Sequence, residues 1–381
     1  MNIVVAADSF KGSLSSLQVG QEVKRGIVNS GVNANVEIVG VADGGEGTVE
    51  VLLHANKGEK IKINVHDPLM NETEASYAIL HIDGEEYVVI ESAQSTGLDL
   101  VPIHLRNPLN TNSFGFGEII KDAISKGYRK FLLSLGGSAT NDGGTGMLQA
   151  LGWRFFDVKG ELIGNIGNPL IKMENFDDSN AMCELKDCTF TVMSDVTNPF
   201  YGNQGAVQVF SSQKGATANQ MLILEKAMIK FAKLIKDRYD REVQEIQGAG
   251  AAGGLGGALA CILSANIQPG IDLIIKMVGL EDKIKAADLV ITGEGSLDGQ
   301  SIMGKVPVGV GKLAKKHHKV VIGIAGRIDT ELQELNKYLD SVFSIQTECR
   351  NLKDAMSYEV SSKQIRVVSE QIIRLAKAMK Y

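Results

Sequence analysis

NIVVAADSFKGSLSS, residues 2–16, decides how this chain is read. Its first six residues are a nearly continuous apolar run, as a strand buried on both faces of a parallel sheet requires. A polar loop carrying Asp8, Ser9, Lys11 and Ser13 follows. From residue 17 to 28 apolar residues recur at helical spacing, with Ser15 or Ser16 placed to cap the helix. Strand, polar loop and helix form the repeating unit of an α/β protein.

The same pattern extends outward. ANVEIVGVA (34–42) reads as a second strand and residues 48–55 as a second helix. DLVITGEG (288–295), KVVIGIAG (319–326) and DSVFSI (340–345) read as further buried strands. Helices are expected at 306–316, 330–338 and 359–379. These five strands predict one doubly wound parallel sheet assembled from both ends of the chain. The middle has another texture. ASYAILHI (75–82) and EYVVIES (86–92) predict an antiparallel pair turning at Asp83-Gly84, a type I′ signal. KFLLSLGG (130–137) and TFTVMSD (189–195) add buried strands. The 381 residues therefore divide into a discontinuous α/β domain, 1–66 and 271–381, and an inserted α/β domain with a mixed sheet, 67–270.

In open α/β sheets ligands bind beyond the carboxyl ends of the strands. Five such ends carry a carboxylate and a hydroxyl: DSFKGSLSS, DGGEGT, SATNDGGTG, SDVTNP and GEGSLDGQS. Glycine turns and helix N-termini supply N–H groups to phosphates, Mg²⁺ needs one or two carboxylates, and an acceptor hydroxyl needs a base. The set matches phosphoryl transfer.

Other classes fall away. A net charge of −6 gives no footprint for nucleic acid or anionic membrane. No apolar run reaches bilayer length and no signal peptide is evident, so a cytoplasmic protein is expected. The four cysteines lack metal-ligand spacing, and the six histidines lie outside the five loops. No Walker A or H-R-D motif is present. GAGAAGGLGG (248–257) contains G-x-G-x-x-G, but DREVQEIQ before it is a poor strand and Asp272 beyond it falls in a helix start. It reads as the entrance of a closely packed helix.

DSFKGSLSS, VADGGEGT, GGSATNDGGTG, SDVTNP, SSQKGA, GAGAAGGLGG and TGEGSLDGQ, in this order, resemble the bacterial glycerate kinase family (type I) that is unrelated to P-loop kinases. The resemblance implies ATP-dependent phosphorylation of D-glycerate with Mg²⁺, giving 2-phosphoglycerate in preference to 3-phosphoglycerate. It also implies a flavodoxin- or Rossmann-like domain, an inserted second domain and an active site in the cleft between them.

On that footing Asp195 is expected as general base or metal ligand, with Asp298 as its partner across the cleft. Lys11, among Ser9, Gly12 and Ser13, is expected to bind the glycerate carboxylate or a transferring phosphate. Asp43, Gly44, Gly45 and Glu46 are expected to order the cleft, bind hydroxyls or hold Mg²⁺ through water; helix capping by Asp43 is an equal alternative. Gly137, Ser138, Thr140, Asn141 and Asp142 open a helix near 145–151, whose N-terminus is expected to bind phosphate or glycerate. Glu294 offers the same chemistry as Asp298, and Gly250 and Gly253 are expected to line the cleft. Plain turn formation is the alternative for both aspartates. Competing functions are a two-lobed sensor of small carboxylates and a dinucleotide-dependent oxidoreductase.

Overall fold

The computed structural model describes residues 1–299, 301, 305–329, 332 and 334–379. In chain order its strands are β1 (Asn2–Val5), β2 (Asn35–Ile38), β3 (Lys57–His66), β4 (Glu72–Ile82), β5 (Glu85–Glu91), β6 (Lys130–Ser134), β7 (Arg154–Phe156), β8 (Asn175–Asp177), β9 (Thr189–Met193), β10 (Asn266–Gln268), β11 (Leu289–Leu297), β12 (Val320–Ile328) and β13 (Ser341–Ser344). The chain forms two compact units. The first comprises Met1–Asp43, Glu50–Asn56 and Pro269–Tyr381; the second comprises Gly44–Val49 and Lys57–Gln268.

The first unit is built on a five-stranded parallel sheet in the order β13-β12-β11-β1-β2. Numbered within the unit, that order is 2-1-3-4-5, the flavodoxin-like arrangement, and its switch point lies between β1 and β11. The helix Ser16–Asn29 starts where its sequence directs: Ser15 and Gln18 form a reciprocal capping box. Its buried face, Val19, Val23 and Ile27, joins Ile3, Val5, Leu289, Ile291 and Ile324 in one core. The C-terminal helix Tyr358–Met379 packs on it so closely that a Cβ on Gly26 would stand 2.4 Å from the Arg366 carbonyl oxygen. Of the helix expected over 330–338, Thr330, Glu331 and Gln333 lie outside the described residues, as does Gln300 of the GEGSLDGQS stretch. Leu335–Lys337 form a single 3-10 turn.

The second unit holds a six-stranded mixed sheet, β10-β9-β6-β5-β4-β3. β3, β4 and β5 pair antiparallel; β5, β6, β9 and β10 run parallel. Asp83 and Gly84 both have positive φ (53° and 81°), as a type I′ turn requires. Strand β3, KGEKIKINVH, is an exposed edge strand hydrogen-bonded along its whole length to β4. Residues 57–66, placed with the terminal segment on sequence grounds, therefore belong to the second unit: its sheet supplies their backbone partners. Val243–Glu245, ahead of the glycine run, is a 3-10 turn, so the dinucleotide fingerprint lacks its strand. Among the described residues, no helix is long and apolar enough to cross a membrane.

Candidate active site

In the first unit the strand ladder carries the charged groups inward. Beyond β1, the Ala6 and Asp8 amides donate to the Ile291 and Gly293 carbonyls, each at 2.8 Å. Asp8 is thereby fixed beside β11 and is 6 % exposed. Its carboxyl accepts the Ser9 amide at 2.7 Å. Burial pushes its pKa up to about 8, with the nearby Asp43 and Glu294 pushing the same way.

Glu294, expected at the end of the 288–295 strand, lies well within β11, because pairing with β12 continues to Leu297 opposite Ile328. Gly293 permits this approach, since a Cβ there would stand 2.2 Å from the Ile324 oxygen. The Glu294 carboxyl is raised by burial; it accepts the Ser301 hydroxyl and has the Lys305 ammonium 3.7 Å away. Asp298 starts a tight turn, its carbonyl accepting the Ser301 amide at 3.0 Å and its amide donating to the Ser301 hydroxyl at 3.1 Å.

Asp8 and Glu294 line a pocket of about 1100 Å³. Asp8, Ser9, Lys11, Ser13, Asp43, Glu294, Lys305 and Arg327 stand on its polar side, and Phe10, Ile345, Leu352 and Met356 on its apolar side. Ser13 is tied to the C-terminal helix, its hydroxyl 2.8 Å from that of Ser361.

In the second unit the loop after β6 is held from within. Asp142 is fully buried: Oδ2 accepts the Ser113 amide and hydroxyl (both 2.8 Å) and the Gly146 amide (3.0 Å), and Oδ1 accepts the Gly144 amide (3.0 Å). The Thr145 amide reaches the Asp142 carbonyl at 3.1 Å, and the Met147 amide reaches the Ser113 hydroxyl at 3.0 Å. The opening amides of the six-residue helix Thr145–Ala150 are thus satisfied internally, and the expected anion site at its N-terminus is not left open. Asp142 is a brace, because its carboxylate consumes the donors an anion needs.

The glycine run packs against this brace. Ala252, Gly253 and Gly254 are left-handed inside the helix Ala251–Cys261, and the Gly253 carbonyl accepts the Gly143 amide at 3.0 Å. A Cβ on Gly253 would lie 2.1 Å from the Thr140 oxygen. The Gly250 amide donates to the Asn198 carbonyl at 3.0 Å, joining the run to the SDVTNP loop, where Asp195 is half-buried. Gly44 and Gly45 turn their carbonyls to the Ser134 hydroxyl, Gly137 (φ 64°) accepts the Leu98 amide, and Glu46 is exposed.

A sequence profile described as the Glycerate kinase family matches residues 3–377. The chain is 43% identical over 356 residues to a Glycerate 2-kinase from Escherichia coli K12, covering 93% of each chain. It is 40% identical over 382 residues to a Glycerate kinase from Bacillus subtilis 168, covering 100% of this chain and 99% of the other. The crystal structure of a chain assigned as glycerate kinase 2 from Salmonella typhimurium LT2 superposes with a TM-score of 0.85 at 39% identity, covering 100% and 99% of the two chains.

The chain belongs to the glycerate kinase family. It is an enzyme, a kinase with an alcohol group as acceptor.

In this glycerate kinase family member, Ser9, Lys11, Ser13, Asp43 and Glu294 line the pocket of the first unit, and Asp298 directly follows the end of β11. Asp195, Gly44, Gly45, Glu46, Gly137, Ser138, Thr140, Asn141, Asp142, Gly250 and Gly253 belong to the second unit. Sequence reasoning gave no role to several charged groups. Asp8 opens the very loop quoted first, and its position at a strand end was the signal. Glu91 ends β5, and its carboxyl, raised by burial, accepts the Val49 amide at 2.8 Å. Arg327 follows β12's apolar run, the same strand-end signal. Lys214, in SSQKGA, is 3 % exposed. A single lysine beside a glycine carries no sequence mark of burial.

Proposed function

We propose that this enzyme phosphorylates D-glycerate with ATP in the cytoplasm, at the 2-hydroxyl in preference to the 3-hydroxyl, by direct in-line transfer. The observation that carries the reading is the first unit's pocket at the β1/β11 switch point. It brings buried carboxyls (Asp8, Glu294) and cations (Lys11, Lys305, Arg327) to one surface. A carboxylate takes the acceptor's proton and cations hold phosphate charge. The 2-position is supported by the name of the Escherichia coli relative, a Glycerate 2-kinase.

Asp195 and Asp298 are the candidate bases or metal ligands. Lys11, with Ser9 and Ser13, holds the glycerate carboxylate or a phosphate; Asp43 and Glu294 orient hydroxyls or bound ion. Ser138, Thr140 and Asn141 offer donors to an anion, while Asp142, Gly250 and Gly253 shape the loop behind them. Mg²⁺ fits the first unit's carboxylates, whose mutual repulsion with Asp8 a dication relieves. Mg²⁺ needs only one or two carboxylates, with water and nucleotide phosphates completing its shell. When bound, the ion neutralises charge on the transferring phosphoryl group.

A coupled ADP-release assay with D-glycerate, ATP and Mg²⁺ tests the reaction, and ³¹P NMR of the product fixes the position. Absence of glycerate-dependent ADP overturns the reading; a 3-phosphoglycerate product overturns the regiochemistry alone.

A further inference from the structure

Lys214 lies in the 3-10 turn Ser212–Lys214, closed by Gly215 at φ 91°. Its ammonium donates to the Ser138 hydroxyl oxygen at 3.0 Å and to the Thr140 carbonyl at 2.6 Å. No carboxylate pairs with it among the described ion pairs. The acid that acts on it through space is Asp142, whose oxygens already accept four hydrogen bonds. A desolvated ammonium without a contacting counter-charge is costly, so its retention calls for a partner that arrives from outside.

We propose that Lys214 is a positioning residue for the anionic substrate: it fixes the Ser138 hydroxyl so that its proton points to a carboxylate or phosphoryl oxygen. An ammonium has only donors, so Ser138 Oγ must accept from it and keeps its own proton to give elsewhere. Ser138 is 7 % exposed, the fringe of an otherwise closed cluster. Two fully buried groups of the same loop, Thr140 Oγ1 and Asn141 Nδ2, have no hydrogen-bond partner among the described residues. Asn141 is oriented by the Ser211 hydroxyl, which donates to its Oδ1 at 2.8 Å. Three donors of this loop and the Lys214 cation beside it suit an oxyanion.

Burial pushes Lys214 down to about 7, against the opposing pull of Asp142. A neutral amine reverses the relay: its lone pair accepts the Ser138 proton, and the hydroxyl no longer donates to substrate. The inference rests on the phosphorylation reading and adds a residue and a proton direction to it.

The test is steady-state kinetics against pH on the full chain, for wild type, Lys214→Met, Ser138→Ala and the double variant. Ser138→Ala should lower kcat/KM for D-glycerate or ATP by about 100-fold, as removal of an oriented anion donor does. Lys214→Met should lower it by about 10-fold, and in the Ser138→Ala background it should add almost nothing, because the lysine acts through that hydroxyl. The alkaline fall of wild-type kcat/KM should vanish in both single variants. Additive losses, or a limb unchanged in the variants, overturn the proposal. Should Lys214→Met lose its melting transition, the Ser138→Ala pH profile decides alone. A wild type that turns over no D-glycerate defeats the function reading instead. Calorimetry with inorganic phosphate then decides for Lys214, and equal affinity in wild type, Ser138→Ala and Lys214→Met overturns it.

Discussion

The first unit buries acids around Asp8 and Glu294, while the second buries a base, Lys214, and burial is the largest cause of each shift. The neighbours differ. Around Asp8 the other carboxylates reinforce burial, whereas around Lys214 the lone acid, Asp142, opposes it. The first site is short of positive charge and the second of negative, so a cation relieves one and an anion the other. Phosphoryl transfer uses both kinds of site, and the second unit adds a buried acid of its own, Glu91, raised by burial.

The sharpest way to break the contrast is through packing. Gly253→Ala places a Cβ 2.1 Å from the Thr140 oxygen at φ +70°, and should destabilise the second unit by roughly 3 kcal/mol or more. Gly31→Ala in the first unit meets nothing within 4 Å at φ +71°, and should cost only about 1 kcal/mol. Urea melts of the two variants check this, and equal losses would refute the tight seam.

Next come the chemical groups. Asp195→Asn and Asp298→Asn should each lower kcat by ~100-fold or more while the melting curve stays intact. Wild-type turnover in either variant removes that residue from the mechanism and assigns the base to the other unit.

Charge gives a smaller, signed effect. The unfolded Asp8 titrates near 3.8 and the folded one near about 8, so the folded state binds the extra proton between these values. Its contribution to stability is present below 3.8 and lost as pH rises through about 8. Lys214 has the opposite sign: its folded value of about 7 lies below the ordinary 10.5, so its contribution is lost as pH falls through about 7. The Tm of Asp8→Asn relative to wild type should therefore climb with pH, and that of Lys214→Met should decline. Slopes of the same sign would show that burial does not set both values.

The smallest change is expected from Lys11→Ala, an exposed side chain at the pocket edge: KM for glycerate should rise several-fold with kcat little altered. An unchanged KM makes the lysine a solvated bystander.

Much of this was legible in advance. The buried strand at residues 2–5, the capped helix at 16–29, the Asp83-Gly84 hairpin and the helix at 306–316 follow from local periodicity and turn chemistry, which neighbours along the chain decide. The edge strand β3 was not read, because its charged, half-exposed residues resemble a loop until β4 supplies the partner.

The carboxylate-bearing strand ends were visible, but which of them carry shifted groups was not. Asp142 is braced because the distant Ser113 amide and hydroxyl close on it together with its own neighbours Gly144 and Gly146, and Lys214 is held by Ser138 and Thr140, more than seventy residues earlier in the chain. The sequence alone determined the α/β class, the family and the inventory of polar groups at the strand ends. Only the tertiary structure decided the 2-1-3-4-5 strand order and which groups are dry. Burial depends on what packs from far along the chain, and desolvation, which sets the charge of Asp8 and Lys214, follows burial.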